Sequence, residues 1–124
     1  MSAQQNKRSA EDAYRAFGEG DAAAAMENID DSIVWVTGGQ SSLSGTYEGK
    51  KEVGELWGKL AEKGLATKPH DFVAEDDKVV VLTTVSLDGE SAEAADVLTY
   101  DKHGKLIRFE QLGDPAIANR VFPV

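Results

Sequence analysis

In the first half of the chain, apolar residues recur with the spacing of amphipathic helices. The first stripe follows the i, i+3, i+4, i+7 spacing and consists of Ala10, Ala13, Tyr14 and Phe17. Ser9, with Asp12 three residues later, resembles a capping box. We therefore predict a helix that runs from Ser9 to Gly18 and is preceded by a flexible polar tail over residues 1–8.

Two further helices are predicted after a Gly-Asp turn. Asp21 is suited to cap a short helix over residues 22–28. A longer helix ends at Gly64 and turns one apolar face inward, formed by Val53, Leu56, Trp57 and Leu60. Between these helices, residues 33–37 are β-branched or aromatic and predict a strand, whereas residues 38–45 have the composition of a loop.

After Gly64 the pattern changes to the alternation of β-strands. It predicts four strands, at about residues 67–74, 78–87, 91–100 and 105–112. Asp88-Gly89 stands between two of them and is a strong hairpin signal. Helices come first and an antiparallel sheet follows, which is the order of an α+β fold. We predict a single domain over residues 9–124, because the chain contains neither a linker nor an internal repeat.

Composition narrows the class of protein. The chain has 124 residues, enough for one domain with a real core, and no cysteine, which excludes disulfides and thiolate chemistry. Its formal net charge of -9 argues against nucleic acid and anionic membranes as partners. The polar start lacks the apolar segment of a secretion signal, and no apolar run is long enough to span a bilayer, so we expect a cytoplasmic protein.

Asp96 is the most informative candidate residue. Ala94, Asp96, Leu98 and Tyr100 share one strand face, and Ala95, Val97 and Thr99 share the other. Both faces are fairly apolar, so the pattern leaves open which of them faces the core. If Asp96 is buried, it is a candidate acid, base or hydrogen-bonding anchor whose pKa is raised by desolvation. The alternative is a solvent-exposed or locally paired strand residue.

The other candidate site residues can each also be explained by a purely structural role. His70 alternates with Phe72 on one strand and is a candidate general acid or base, or simply an edge-strand histidine beside Pro69. Trp57 lies on the inward face of its helix, either in the core or against a ligand. The two histidines lack the spacing of metal ligands, so we predict no metal site.

The order of several short motifs resembles a known superfamily. Four motifs follow one another at a spacing similar to that of the superfamily. They are Gly20-Asp21, a strand that contains Trp35, the segment Leu43-Ser44-Gly45-Thr46-Tyr47-Glu48-Gly49 and the segment Asp101-Lys102-His103-Gly104-Lys105-Leu106-Ile107. Together they resemble the SnoaL-like and ketosteroid-isomerase-related branch of the nuclear-transport-factor-2-like superfamily. The resemblance implies a cone: a curved, mainly antiparallel sheet with three helices from the N-terminal half enclosing a pocket. It also implies a homodimer that forms through the outer sheet face.

The same resemblance assigns roles to single positions. Asp96 falls on the aspartate that serves as the protonated oxyanion-hole donor in ketosteroid isomerases. The oxyanion tyrosine falls on Ala13, with Tyr14 one place away, and the catalytic-base aspartate falls on Val36. Trp57 falls where those enzymes have a pocket tyrosine. The site of a ketosteroid isomerase is therefore expected to be incomplete.

These observations predict a pocket for a small apolar, polyketide-like or steroid-like molecule. We expect Asp96 and His70 as acid–base candidates, and a ligand-binding wall of Val34, Val36, Trp57, Leu98, Tyr100, Phe109 and Gln111. No cofactor is expected, because acid–base isomerisation, cyclisation and hydrolysis require none. Three functions stay open: such an enzyme, a non-catalytic carrier or sensor, and a dimeric interaction module whose pocket is closed.

Overall fold

The computed structural model of the chain describes residues 2–124. In chain order the elements are α1 (Ala3–Gly18), α2 (Ala22–Met26), β1 (Ile29–Thr37), β2 (Gly45–Glu48), α3 (Gly49–Glu62), β3 (Ala66–Glu75), β4 (Lys78–Leu87), β5 (Glu90–Tyr100), β6 (Leu106–Gly113) and α4 (Ala116–Val121). The six strands form one curved sheet in the order β2-β1-β6-β5-β4-β3, and every neighbouring pair is antiparallel except β1 and β6. The predicted α+β fold with a mainly antiparallel curved sheet is confirmed.

The first helix begins earlier than the sequence pattern predicts. Ser2, and not Ser9, is the N-cap: its hydroxyl accepts from the backbone N–H of Gln5, whose side chain accepts from the backbone N–H of Ser2. The expected tail over residues 1–8 is therefore wrong for residues 3–8, which are helical, while Met1 lies outside the described residues. The prediction failed because the inward position of this first turn is Asn6, a polar residue that is only 2% exposed.

Three more elements differ from the prediction. β1 begins at Ile29 rather than at residue 33, and the short strand β2, which begins at the last residue of the predicted loop, was not predicted. A fourth helix, α4, follows the sheet. The early part of β1 is held by a nonlocal contact, since Ile29 pairs in parallel with Leu106 of β6. Local alternation carries no signal of such a pairing.

The predicted hairpin at Asp88-Gly89 is present. Both residues have positive φ, 50° at Asp88 and 83° at Gly89, which matches the tight turn that Asp-Gly favours. Leu87 pairs with Glu90 directly across the turn. The register of β4 against β5 is thereby set from the turn outward.

The helices cover one face of the sheet. α1 packs on β3 and β4, α3 packs on β1, and α4 lies beside β4 and β5. The core between the layers contains Ile33, Val53, Leu56, Val79, Val81 and Leu98. In the described part of the chain, no helix is long and apolar enough to cross a membrane.

Candidate functional site

A cavity of about 230 Å³ lies between the helices and the concave face of the sheet. α1, α3 and α4 contribute to its wall, together with the inner face of β5 and β6 and the end of β1. The alternative of an interaction module with a closed pocket does not fit this cavity. The volume lies just below the range of about 300–1,000 Å³ that is usual for drug-sized ligands, so it suits a small molecule.

Asp96 forms the polar centre of this cavity. Alternation along β5 turns Asp96, Leu98 and Tyr100 inward, and only 1% of Asp96 is exposed. The Tyr14 hydroxyl donates a hydrogen bond to Oδ2 of Asp96. The Gln111 side-chain amide donates to Oδ1 at 3.0 Å, because Gln111 stands directly opposite Asp96 in the β5–β6 pair. The carboxylate is thus held by one helix and one neighbouring strand.

Burial dominates the electrostatics of these groups. Desolvation raises the pKa of Asp96, and the hydrogen bonds from Tyr14 and Gln111 act against that rise. Desolvation, together with the charge of Asp96, raises the pKa of the Tyr14 phenol well above its usual value. Burial likewise raises the pKa of Tyr100. Both tyrosines therefore stay protonated near neutral pH and can donate hydrogen bonds.

An aromatic wall adjoins the polar centre. Trp35 stacks on Phe109 with the ring centroids 3.7 Å apart and an angle of 14° between the ring planes. Trp57 meets Trp35 edge-on at 5.7 Å, and Phe17 meets Trp57 at 5.1 Å. These four rings all line the cavity. Edge-on contacts such as those of Trp57 with Trp35 and Phe17 are favourable beyond their buried area.

Most of the predicted site residues lie in the cavity wall. Besides Asp96, these are Trp57, Leu98, Tyr100, Phe109 and Gln111. The prediction for Val34 and Val36 is wrong, because β1 turns Trp35 and Thr37 toward the cavity and the two valines toward the opposite face. Both faces of this strand are apolar, so the sequence pattern did not decide between them.

The prediction that His70 lies in the pocket is also wrong. A β-bulge between Pro69 and Asp71 breaks the alternation of β3, so His70 does not follow Phe72 inward. Its Nε2 lies 2.5 Å from the Thr84 hydroxyl on the exposed outer face, and 3.6 Å from a carboxylate oxygen of Glu93. His70 therefore cannot exchange a proton with a ligand at Asp96.

Sequence comparison missed Tyr14. The resemblance assigned the oxyanion tyrosine position to Ala13, yet it is Tyr14 that reaches the carboxylate of Asp96. Residues one apart on a helix point about 100° away from each other, so an alignment error of one position misplaces the hydroxyl completely. The signal that could have found Tyr14 is its place on the apolar stripe of α1, between Ala10 and Phe17.

The loop after β1 and α4 both contribute to the cavity wall, through Gly38 and Gly39 and through Ile117 and Ala118. The Gln40 backbone N–H donates to the Asn119 side chain at 2.7 Å, and the Ser42 backbone N–H donates to the Phe122 carbonyl at 2.7 Å. Arg120 of α4 forms an ion pair with Glu90 at the β4–β5 hairpin. The C-terminal helix is therefore held both by the loop after β1 and by the β4–β5 hairpin.

No metal centre is evident at this site. Within residues 2–124, no group of three or more histidines, aspartates or glutamates is placed to hold a metal ion. The polar centre of the cavity offers one carboxylate, two phenols and one amide, from Asp96, Tyr14, Tyr100 and Gln111, beside the aromatic wall.

Comparison with known proteins gives one family and one fold. A sequence profile of the SnoaL-like domain matches residues 10–109. Bal32a, from a soil-derived mobile gene cassette, has 20% identity and a TM-score of 0.86, with 97% of each chain covered. An NTF2-like protein of Burkholderia thailandensis has 26% identity and a TM-score of 0.80, with 95% of this chain and 98% of that chain covered.

TerC, co-crystallised with polyporic acid, has 21% identity and a TM-score of 0.82, with 94% of this chain and 96% of that chain covered. No curated protein sequence matches this chain significantly.

Proposed function

The chain belongs to the SnoaL-like domain family, and we propose that it binds a small, largely apolar molecule whose polar group is anchored at Asp96. Membership of this family supports the presence of a pocket suited to a small molecule. The observation that carries the proposal is the hydrogen-bonded set of Tyr14, Asp96 and Gln111 inside an otherwise apolar cavity.

The burial of Asp96 supports a role in binding. A buried carboxylate costs several kcal/mol unless it is well partnered, and an apolar residue at this position would remove that cost. No lysine, arginine or histidine of the described chain forms a salt bridge with Asp96. A residue that weakens the fold and faces a cavity is typical of a functional site.

Binding is favoured over turnover. Acid–base sites typically bring an acid and a base together at one ligand atom. Val36, at the expected position of the catalytic base, faces away from the cavity, and His70 lies on the outer surface. Proton transfer to and from Asp96 alone is the second candidate function, supported by the raised pKa of that carboxyl group.

Both tryptophans of the chain line the cavity, so their fluorescence reports binding. A panel of one-ring and two-ring aromatic molecules should include some that quench this fluorescence saturably in the wild type. Asp96→Ala should weaken their binding about tenfold or more, because a buried hydrogen bond to a charged group contributes roughly 1.5–3 kcal/mol. His70→Ala, outside the cavity, serves as the matched control and should bind as the wild type does. Equal losses in both variants would argue against the proposal.

We also propose that two copies of the chain associate through the outer face of the sheet. The face that no helix covers carries Val73, Leu82 and Leu112, which are 59%, 42% and 50% exposed. Ala95 stands between Leu82 and Leu112 in the strand pairing, so the apolar surface is continuous across the sheet. Such a patch is unusual on a monomer, and a second copy offers a matching face.

The cytoplasmic location remains a prediction.

A further inference from the structure

The charged groups along the cavity wall all have one sign. Asp96 lies at the centre and Asp114 also contributes to the wall, whereas the carboxylate of Glu93 points to the outer face, beside His70 and Thr84. Among the described residues that line the cavity, none is lysine, arginine or histidine. Inside a cavity with low-dielectric walls, this arrangement produces a negative potential that repels anions and attracts cations.

The carboxylate of Asp96 has capacity for further donors. An ionised carboxylate offers about four lone-pair sites, and the structure shows one donor on each oxygen, Tyr14 on Oδ2 and Gln111 on Oδ1. Both neighbours donate, an arrangement that suits an ionised acceptor. An N–H donor from a ligand can therefore reach the remaining sites, and a positively charged donor would also neutralise the buried charge.

The aromatic wall adds a second attraction for positive charge. Phe109 lies two residues before Gln111 on the same face of β6, and Trp35 stacks on it. Trp57 and Phe17 extend the wall. Cations are attracted to the faces of aromatic rings, most strongly to tryptophan, so the rings favour a ligand that combines an apolar body with a positive charge.

From these three observations we infer that the cavity selects a small organic ammonium ion, an amine with an apolar or aromatic body, over neutral and anionic molecules of the same shape. This inference rests on the proposed function, because it requires that the cavity binds a small molecule. The ammonium group lies at Asp96 and donates to its free lone pairs. The apolar body lies against Trp35, Trp57 and Phe109.

Three probes of similar shape test the inference: 2-phenylethylammonium, 2-phenylethanol and phenylacetate, each titrated against the full chain by tryptophan fluorescence and by calorimetry. We expect the ammonium ion to bind about 10- to 100-fold more tightly than the alcohol, the factor that a charge-assisted hydrogen bond provides. Phenylacetate should bind most weakly. Asp96→Asn, which keeps the shape, should bring the ammonium ion and the alcohol to within about threefold of each other, whereas His70→Gln should keep the wild-type order.

A second measurement needs no variant. In the wild type, the ratio of ammonium affinity to alcohol affinity should fall as the pH is lowered from about 8 to about 4, because Asp96 becomes protonated. The titratable groups nearest to it are Tyr14 of α1 and Tyr100 of β5, whose pKa values are raised, so they remain protonated throughout. Asp114 is the other acidic residue of the cavity wall, and the carboxylate of Glu93 lies on the outer face with His70.

The outcomes separate this inference from the proposed function. Alcohol or carboxylate binding as tight as ammonium binding would overturn the ammonium inference and leave small-molecule binding intact. An unchanged affinity ratio in Asp96→Asn, or a ratio that does not depend on pH, would do the same. No binding of any probe at millimolar concentration would contradict both proposals.

Discussion

The Tyr14 hydroxyl donates a hydrogen bond to the buried carboxylate of Asp96, although the two residues stand 82 positions apart in the chain. This one contact joins the first helix to the central strand β5. It also opposes the rise in the pKa of Asp96 that burial causes, because the bond stabilises the ionised form. The docking of α1 and the chemistry of the cavity are therefore coupled.

Tyr14→Phe should destabilise the protein by about 1–3 kcal/mol near pH 7, the usual cost of depriving a buried charged acceptor of a donor. The loss should be smaller at acidic pH, where Asp96 is protonated and needs the donor less. Urea unfolding at both pH values measures the difference. Tyr47→Phe is the matched control, because the Tyr47 hydroxyl donates at 2.5 Å to the neutral carbonyl of Leu43. The stability lost in Tyr47→Phe should therefore be the same at both pH values. Equal losses for Tyr14→Phe at both pH values would contradict this account.

Asp96→Asn should stabilise the unliganded protein at neutral pH. Because burial raises the pKa of Asp96 in the folded state, the folded protein binds its proton more tightly than the unfolded chain does. In the wild type, protonated Asp96 stabilises the folded state. This stabilisation is complete below the pKa of about 3.9 that the group has in the unfolded chain, and it is lost as the pH rises through the higher pKa in the folded protein. The variant should therefore have the higher Tm at pH 7, by a few degrees, and the advantage should disappear on acidification.

Asp101→Asn provides a control of opposite sign. The Lys105 backbone N–H, and secondarily that of His103, lowers the pKa of Asp101. Ionised Asp101 therefore stabilises the folded state above the pKa that it has in the unfolded chain, and this stabilisation is lost as the pH falls. Asp101→Asn should accordingly have a lower Tm than the wild type at pH 7. Thermal unfolding of both variants from acidic to neutral pH tests the pair, and shifts of the same sign would count against the assignment for Asp96.

Gly39→Ala should displace the C-terminal helix from the cavity wall. A Cβ atom at Gly39 would lie 2.6 Å from Cβ of Pro115, and φ at this position is +88°. We expect a loss of stability of about 1–3 kcal/mol and stronger quenching of Trp35 and Trp57 by acrylamide. Gly38→Ala is the adjacent control, because its Cβ would meet nothing within 4 Å. Equal quenching in the two variants would show that α4 does not shield the cavity.

Leu82→Glu should convert the proposed homodimer to a monomer. The substitution places a charge in the centre of the apolar outer face, where a second copy would have to desolvate it. Sedimentation velocity at tens of micromolar measures the change, a range in which a modest interface should persist. Gln4→Glu adds the same charge on exposed α1 and should leave the dimer intact. A monomeric wild type at this concentration would refute the homodimer.

The general fold could be predicted from the sequence because its signals are local. The alternation in β4 and β5 and the Asp88-Gly89 turn determine a hairpin without reference to the rest of the chain. The first turn of α1 could not be predicted in the same way, since its buried residue is the polar Asn6. The short strand β2 was missed because its four residues show no clear alternation of apolar and polar positions.

The site was only partly predictable. Asp96 could be identified because a carboxylate among apolar strand residues is anomalous wherever the strand lies. The facing direction of Val34 and Val36 could not be decided, since both faces of β1 are apolar, and the bulge next to His70 reversed its expected direction. The contact between Tyr14 and Asp96 depends on how α1 is rotated against the sheet, and a single sequence does not contain that information.

The parallel pairing of β1 with β6 has a consequence for how the chain folds during synthesis. Val34 of β1 pairs with Arg108 of β6. β1, which carries Trp35 of the aromatic wall, can therefore form this pairing only after β6, the last strand, has been synthesised. Until then, Trp35 lacks Phe109, and β1 has only the short strand β2 beside it. Such long-range closure is slow and leaves apolar surface exposed in the nascent chain. Ribosome-bound chains that end before β6 should therefore depend on chaperones far more than the released protein does.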